Sequence, residues 1–225
     1  MANRLLAVIL PLLLLCGCAS VPVIPEGGAF DSATENEKTA FLEKVKSQQR
    51  ENSGKIFRYT ADLTIRTEEE GTTKIAAAAL WRPGENVRWR LKYLGYNFFS
   101  ALGDRKDWLL YLEDSGVVYR CPSAALPYVR APKIPPLAWK VLSHSLEGFR
   151  PTEQNLKSVE KCPNGLKVTT EDGAFLYSSG FLPSYGEWRA ESGETCQAYF
   201  KGLQEIQSPN AFLPNTNAYK VIFLK

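Results

Sequence analysis

The stretch KIFRYTADLTIR, residues 55–66, alternates without a break: Phe57, Tyr59, Ala61, Leu63 and Ile65 fall between Arg58, Thr60, Asp62, Thr64 and Arg66. A period of two puts one set on each face of a strand, and the polar set marks one face as wet. Strands of parallel sheets, covered on both faces, read instead as continuous apolar runs, so this pattern predicts an antiparallel sheet with one buried side. The alternation returns in residues 73–82 with Ile75, Ala77, Ala79 and Trp81 on one face. After Pro83-Gly84 it returns again, with Val87, Trp89, Leu91 and Tyr93 set against Arg88, Arg90 and Lys92. Strands near residues 98–103, 107–113 and 116–121 follow, and neighbours joined by short turns make a meander.

Five prolines between Pro122 and Pro136 then break the ladder. The segment PLAWKVLSHSLEGF reads as a short helix with Leu137, Val141 and Leu142 along one side, ended by Gly148 and Pro151. Strands resume in LKVTTEDGAFLYS, where Asp172-Gly173 is a hairpin signal, and continue near 185–190, 195–201 and at the terminus. Ahead of the meander, Thr34 and Glu37 form a capping box before Phe41, Leu42 and Val45, which predicts an amphipathic helix to about Gln49. The expectation is an α+β fold: one curved antiparallel sheet of about ten or eleven strands, with two helices covering its concave face; the family resemblance given below implies that the sheet is an incomplete β-barrel. Residues 34–225 form this single domain.

Ahead of the domain, the apolar run from Leu5 to Leu15 is shorter than the roughly 20 residues that a membrane-spanning helix needs. It follows Arg4 and gives way to Cys16-Gly17-Cys18, the layout of a cleaved export signal. Cutting before Cys18 leaves the small Gly17 beside the cut, whereas cutting before Cys16 would place the bulky Leu15 there. Leu15-Cys16-Gly17-Cys18 thus resembles a bacterial lipobox, which implies residues 1–17 as signal peptide and Cys18 as the acylated first residue. By the rule of that signal class, Ala19 rather than Asp after the cysteine implies the outer membrane, lipid-anchored and facing the periplasm. Residues 18–33, with Pro22, Pro25, Gly27 and Gly28, read as a lipidated tether.

The formal net charge is +3 and Arg4 is the only charge in the signal, a balance too near neutral to point to nucleic acid. Cys121, Cys162 and Cys196 remain in an oxidising setting, so at most one internal bridge can form. Cys121-Pro122 and Cys162-Pro163 bracket the helical insert and are the preferred disulfide pair, though spacing leaves pairings with Cys196 open. No Cys/His spacing suggests a metal and no cofactor motif is present. His144 is the only histidine; Ser143 and Ser145 beside it point elsewhere on a helix, and no G-x-S-x-G elbow occurs. An enzyme is not expected.

The meander ALWRPGENVRWRLKYLGYNFFSALGDRKDWLLYLEDSGVVYR, with its Arg-Pro-Gly turn, its Arg- and Trp-bearing strand and its Leu-Gly turn, resembles the lipoprotein localisation factors LolA and LolB. That resemblance implies a half-barrel lidded by helices around an apolar cavity for the acyl chains of lipoproteins, and a periplasmic carrier protein as partner. It also implies a protruding loop at Leu94, followed by Tyr96, Phe98 and Phe99, that helps place lipoproteins in the membrane. Phe98 and Phe99 read equally well as the start of a strand, one ring on each face. The inward set Leu63, Ile65, Ala77, Ala79, Trp89 and Leu91 would wall the cavity. Ala76–Ala79 replace bulk with methyls, which leaves room for an apolar ligand or for helix side chains that fill it. Two functions follow: a LolB-like receptor for acyl chains or other amphiphiles, or a structural and assembly lipoprotein that uses the same sheet to bind a protein.

Overall fold

The computed structural model describes residues 31–68, 71–112, 116–128, 136–146, 149–178, 182–190, 193–207 and 220–223. The strands are β1 (Asp31–Ser32), β2 (Ile56–Thr67), β3 (Gly71–Arg82), β4 (Asn86–Tyr93), β5 (Tyr96–Asp104), β6 (Asp107–Leu112) and β7 (Val117–Pro122). They continue as β8 (Leu156–Cys162), β9 (Gly165–Thr170), β10 (Gly173–Tyr177), β11 (Tyr185–Arg189), β12 (Thr195–Ile206) and β13 (Lys220–Phe223). Two helices, α1 (Glu35–Glu51) and α2 (Pro136–Ser145), complete the described elements, with a 3-10 turn over Ser123–Tyr128.

All thirteen strands join one sheet in the order β1-β8-β9-β10-β11-β12-β2-β3-β4-β5-β6-β7-β13, and the two ends do not pair, so the barrel is incomplete. Every pairing is antiparallel except β13 on β7, which is parallel. A parallel neighbour requires a crossover, and β13 follows β12 in the chain but pairs at the far edge of the sheet. Two strands exceed the expected count. β1 and β8 pair only with each other on that side, Asp31 opposite Lys161, and Val159 is the one fully buried residue of β8.

The concave face is the one the alternation predicts. Phe57, Tyr59, Ala61, Leu63 and Ile65 of β2, Ile75, Ala77, Ala79 and Trp81 of β3, and Val87, Trp89 and Leu91 of β4 are all buried. Both halves of the capping box form at Thr34, fixing the start of α1. Ala33 is buried and its N–H donates to the Val159 carbonyl at 2.8 Å, which ties the chain just ahead of α1 to the edge of the sheet. Residues 1–30, with the signal and Cys18, lie outside the described residues.

The expected Cys121–Cys162 bridge is not made: Cys121, Cys162 and Cys196 are all free thiols. Cys121 is on β7 and Cys162 on β8, strands near opposite ends of the sheet order. The flanking prolines mark where the ladder stops, and carry no information about which ends meet.

Candidate functional site

The side chains of the sheet converge on the end of α2. Trp81 Nε1–H donates to the Leu146 carbonyl at 3.0 Å, Trp89 Nε1–H to Ser145 Oγ at 2.6 Å, and Trp188 Nε1–H to His144 Nδ1 at 3.1 Å. The Tyr177 hydroxyl donates to the Phe149 carbonyl at 2.7 Å. Helix ends leave carbonyls without intrahelical partners; here the Trp81 indole supplies the Leu146 carbonyl and the Tyr177 hydroxyl supplies the Phe149 carbonyl just past the helix. Phe149, just past the helix, then packs on Phe200, Trp188 and Phe175 with ring centroids 4.6, 5.5 and 6.4 Å away. The helix is seated by directed bonds as well as by apolar burial.

This seat occupies the middle of the predicted cavity. The six proposed wall residues Leu63, Ile65, Ala77, Ala79, Trp89 and Leu91 do face inward, each between 0% and 5% exposed. Their surfaces are covered by protein, with Ser145 of α2 on Trp89. Above Ala79, Tyr59 and Trp89 lean together: they flank it in register, two strand spacings or about 9.5 Å apart at the backbone, yet their ring centroids are 5.4 Å apart at 87°. The alanine methyls make room for rings.

Open space lies instead beneath α1. A groove of about 380 Å³ runs between this helix and β8–β10, with Ala33, Phe41, Val45, Val159, Leu166 and Tyr177 among its walls and Lys44 and Lys161 at its rim. Only Phe41, Leu42 and Val45 of the 17 residues of α1 are buried. Ion pairs Lys161–Glu37 at 2.6 Å and Lys46–Glu153 at 3.0 Å fasten the helix from outside; exposed pairs of this kind contribute about 0–1 kcal/mol each. Three buried apolar residues, the Phe41–Tyr177 ring contact, the Arg150–Gln49 hydrogen bond and the surface pairs hold the helix beside the groove.

Of the four residues expected in the protruding loop, the β4–β5 turn exposes Leu94 and Tyr96. Leu94 and Tyr96 are 79% and 78% exposed, the large apolar side chains that stand out among the described residues. Phe99 is not part of it. It is 1% exposed and pairs with Leu91, because a bulge at Leu91/Lys92 inserts Phe98 as an extra residue and resets the alternation to turn Phe99 inward. The side chain of Phe98 lies outside the described set. The turn itself is unusual. Leu94 has φ +49° and Gly95 φ +85°, the two left-handed positions of a tight hairpin where Asn-Gly is the favoured pair. A leucine there is costly in conformation, by roughly 1–2 kcal/mol, and it exposes apolar surface as well.

His144 has a definite protonation state. Accepting from Trp188 at Nδ1 leaves its proton on Nε2, which faces Asp172 Oδ2 at 3.5 Å, while Lys140 Nζ is 2.9 Å from Asp172 Oδ1. Burial pushes the His144 pKa below its usual value against the pull of Asp172, and the charge of Lys140 lowers it further. For Asp172, burial alone would raise the pKa; the bond from Lys140 and the charges of His144, Lys140 and Lys157 outweigh it and hold the pKa low. The folded chain therefore takes up the His144 proton later than the unfolded chain, whose histidine titrates near 6.5. Stability is full above that value and is expected to fall as pH drops through it. Melting temperature measured from pH 7.5 to 5.0 should decline in the parent and decline less in His144→Gln; parallel curves would contradict the assignment.

The two buried cysteines of the sheet are poor nucleophiles. Burial, aided by Asp107, pushes the Cys121 thiol up to about 11, and burial pushes Cys196 up to about 12, so both stay protonated at neutral pH. Among the described residues no group of His, Cys, Asp and Glu is arranged to hold a metal ion, and no helix is long and apolar enough to cross a membrane.

Fold and site together define a class: half-barrel domains in which one curved, unclosed sheet is covered by helices and carries an apolar hairpin tip. No protein-family model and no curated protein matches the chain. Solved structures similar to it include a LolA superfamily protein from Nitrosomonas europaea, at 10% identity and TM-score 0.43, covering 77% of this chain and 98% of that one. A DUF1329 family protein from Desulfovibrio piger is similar at 8% identity and TM-score 0.48, covering 80% and 98%. A conserved protein from Thermus thermophilus is similar at 12% identity and TM-score 0.47, covering 84% and 99%.

Proposed function

We propose that the chain is an outer-membrane lipoprotein, anchored through Cys18, with a LolB-like role: it receives acyl chains of lipoproteins or similar amphiphiles and releases them at the membrane. The observation that carries this reading is Leu94. An exposed leucine held in a left-handed turn lowers the stability of the free domain, and a strained outlier of that kind points to a use elsewhere. Burying Leu94 and Tyr96 at a bilayer surface recovers roughly 1.5–3 kcal/mol for a side chain of leucine size. The groove beneath α1 supplies the acyl site, entered by lifting a helix with three apolar anchors. A periplasmic carrier would dock where the groove opens.

The test uses the Cys18→Ala chain, which removes the acylation site and in cells should give an uncleaved or soluble protein. Substituting Leu94→Asn in that chain should raise the melting temperature, since asparagine suits the turn, and yet weaken flotation with phospholipid vesicles several-fold. Ala40→Trp, which fills the groove from its rim, should abolish binding of a fluorescent fatty acid. Unchanged vesicle binding in Leu94→Asn together with no fatty-acid binding by the parent would overturn the reading. A second reading, an assembly lipoprotein that binds a protein partner through this fold, draws on the filled concave face around Trp89 and Ser145.

A further inference from the structure

A pocket of about 250 Å³ lies between the end of α2 and the β9–β10 turn. Its polar wall is made of His144, Arg150, Asn155 and Asp172, with Thr152 beside them, and the rings of Phe149 and Phe175 supply its apolar side. Sites for drug-sized ligands run to roughly 300–1,000 Å³, so an occupant here is smaller. The pocket shares no wall residue with the groove beneath α1, and what it binds is independent of the carrier reading.

The polar wall is rich in donors. Arg150 Nη1 donates to Gln49 Oε1, which leaves the Nε–Nη2 edge of the guanidinium, and Nε is buried with no partner among the described residues. Asn155 Oδ1 accepts from the Thr152 N–H at 2.7 Å, so its amide nitrogen points the other way with both hydrogens to give. Thr152 Oγ1 accepts from the Asn155 N–H at 3.3 Å and keeps its own hydrogen. The proton of His144 is on Nε2, and Asp172 Oδ2 is 3.5 Å from it, beyond the roughly 2.7–3.2 Å of an N–H···O bond. That N–H can serve another acceptor, and the His144 side chain keeps 27% of its surface exposed. Lys140, 2.9 Å from Asp172 Oδ1, offsets the one carboxylate in the wall. Arg150 forms no ion pair with a described residue, so its charge is the one left over. The side edge of a guanidinium matches the two oxygens of a carboxylate in charge and geometry. A dianion such as phosphate fits less well, because Asp172 would repel it and the two rings call for an apolar body.

We propose that this pocket binds a small monocarboxylate with an apolar body. The carboxylate lies on the Nε–Nη2 edge of Arg150 and takes the Asn155 amide as a second donor, and the hydrocarbon part lies against Phe149 and Phe175.

Nuclear magnetic resonance of the full-length Cys18→Ala chain, isotopically labelled at tryptophan, tests it. Trp188 Nε1–H donates to His144 Nδ1 at 3.1 Å, on the ring that lines the pocket, so its indole signal reports occupancy. The signal is assigned by its loss in Trp188→Phe. Hydrocinnamate should shift it to saturation. Hydrocinnamide, which has the same body without the charge, and inorganic phosphate should each bind at least tenfold more weakly. Asn155→Asp keeps an oxygen to accept from Thr152 and replaces a donor by a negative charge. Its affinity for hydrocinnamate should fall at least tenfold while its melting temperature stays near the parent's. Arg150→Lys, which keeps the charge but not the fork, should lose as much, and it decides the matter where Asn155→Asp melts early. An unmoved Trp188 signal, equal binding of the amide, tighter binding of phosphate, or parental affinity in both variants would overturn the proposal.

Discussion

Truncating Trp89 to alanine is expected to destabilise the domain by about 3–5 kcal/mol, the range for removing a large aromatic from a packed core. Trp89 is fully buried and stands at a junction. Its ring meets Tyr59 edge-on at 5.4 Å, and its N–H donates to Ser145, whose hydroxyl in turn donates to the Leu142 carbonyl at 2.5 Å. The alanine variant loses the ring packing and leaves α2 without its central contact. Trp89→Phe keeps most of the packing and loses the N–H, so it should cost about 1–2 kcal/mol, near the worth of one buried hydrogen bond. Urea denaturation followed by far-ultraviolet circular dichroism gives both numbers. With total stabilities of about 5–15 kcal/mol in domains generally, the alanine variant should be close to unfolding at 37 °C. A loss under about 1 kcal/mol would mean that the concave face is loosely filled, and the predicted cavity around Trp89 would return.

The reading frame of the sheet is plain in the sequence where one face is wet. Along β2, β3 and β4 each arginine or lysine between apolar residues fixes the facing of its neighbours, and all six proposed wall residues face inward as the alternation predicts. The capping box at Thr34 is equally local and equally legible. β8 escapes that reasoning because Ser158, Glu160 and Lys161 surround a lone Val159, and its outer neighbour β1 has only two residues. An edge of that kind buries too little to leave a pattern. The occupancy of the concave face depends on partners far apart in sequence. Trp81 and Leu146 are 65 positions apart, Trp89 and Ser145 56, and Trp188 and His144 44, and no periodicity encodes such pairs. Run length places the helices, but not which indole meets which helix-end group. The disulfide expectation failed for the same reason, since Cys121 and Cys162 are near in sequence logic and far apart in strand order.

The two inward alanines of β3 should respond differently to the same substitution, and that difference separates a packed core from an empty cavity. Ala79→Leu places a branched side chain where the rings of Tyr59 and Trp89 already touch. Neither ring can withdraw without cost: Tyr59 also packs edge-on against Trp81 at 6.4 Å and against Phe200 at 6.1 Å, and Trp89 is tied to Ser145. The expected cost is about 3 kcal/mol, at the upper end for overpacking. Ala77 is flanked in register by Ala61 and Leu91, and it keeps 5% of its surface exposed against 1% for Ala79. A leucine there meets one methyl and one flexible side chain, so Ala77→Leu should cost about 1 kcal/mol. A ligand-ready cavity predicts something else: both variants melt like the parent and both exclude a fluorescent fatty acid. If the acyl chain binds in the groove beneath α1, as proposed, Ala77→Leu should keep the ligand at nearly parental stability. Retention of the probe by Ala77→Leu and its loss in Ala40→Trp would place the acyl chain under the helix; the reverse pattern would move it back onto the sheet and require α2 to leave its seat before anything binds.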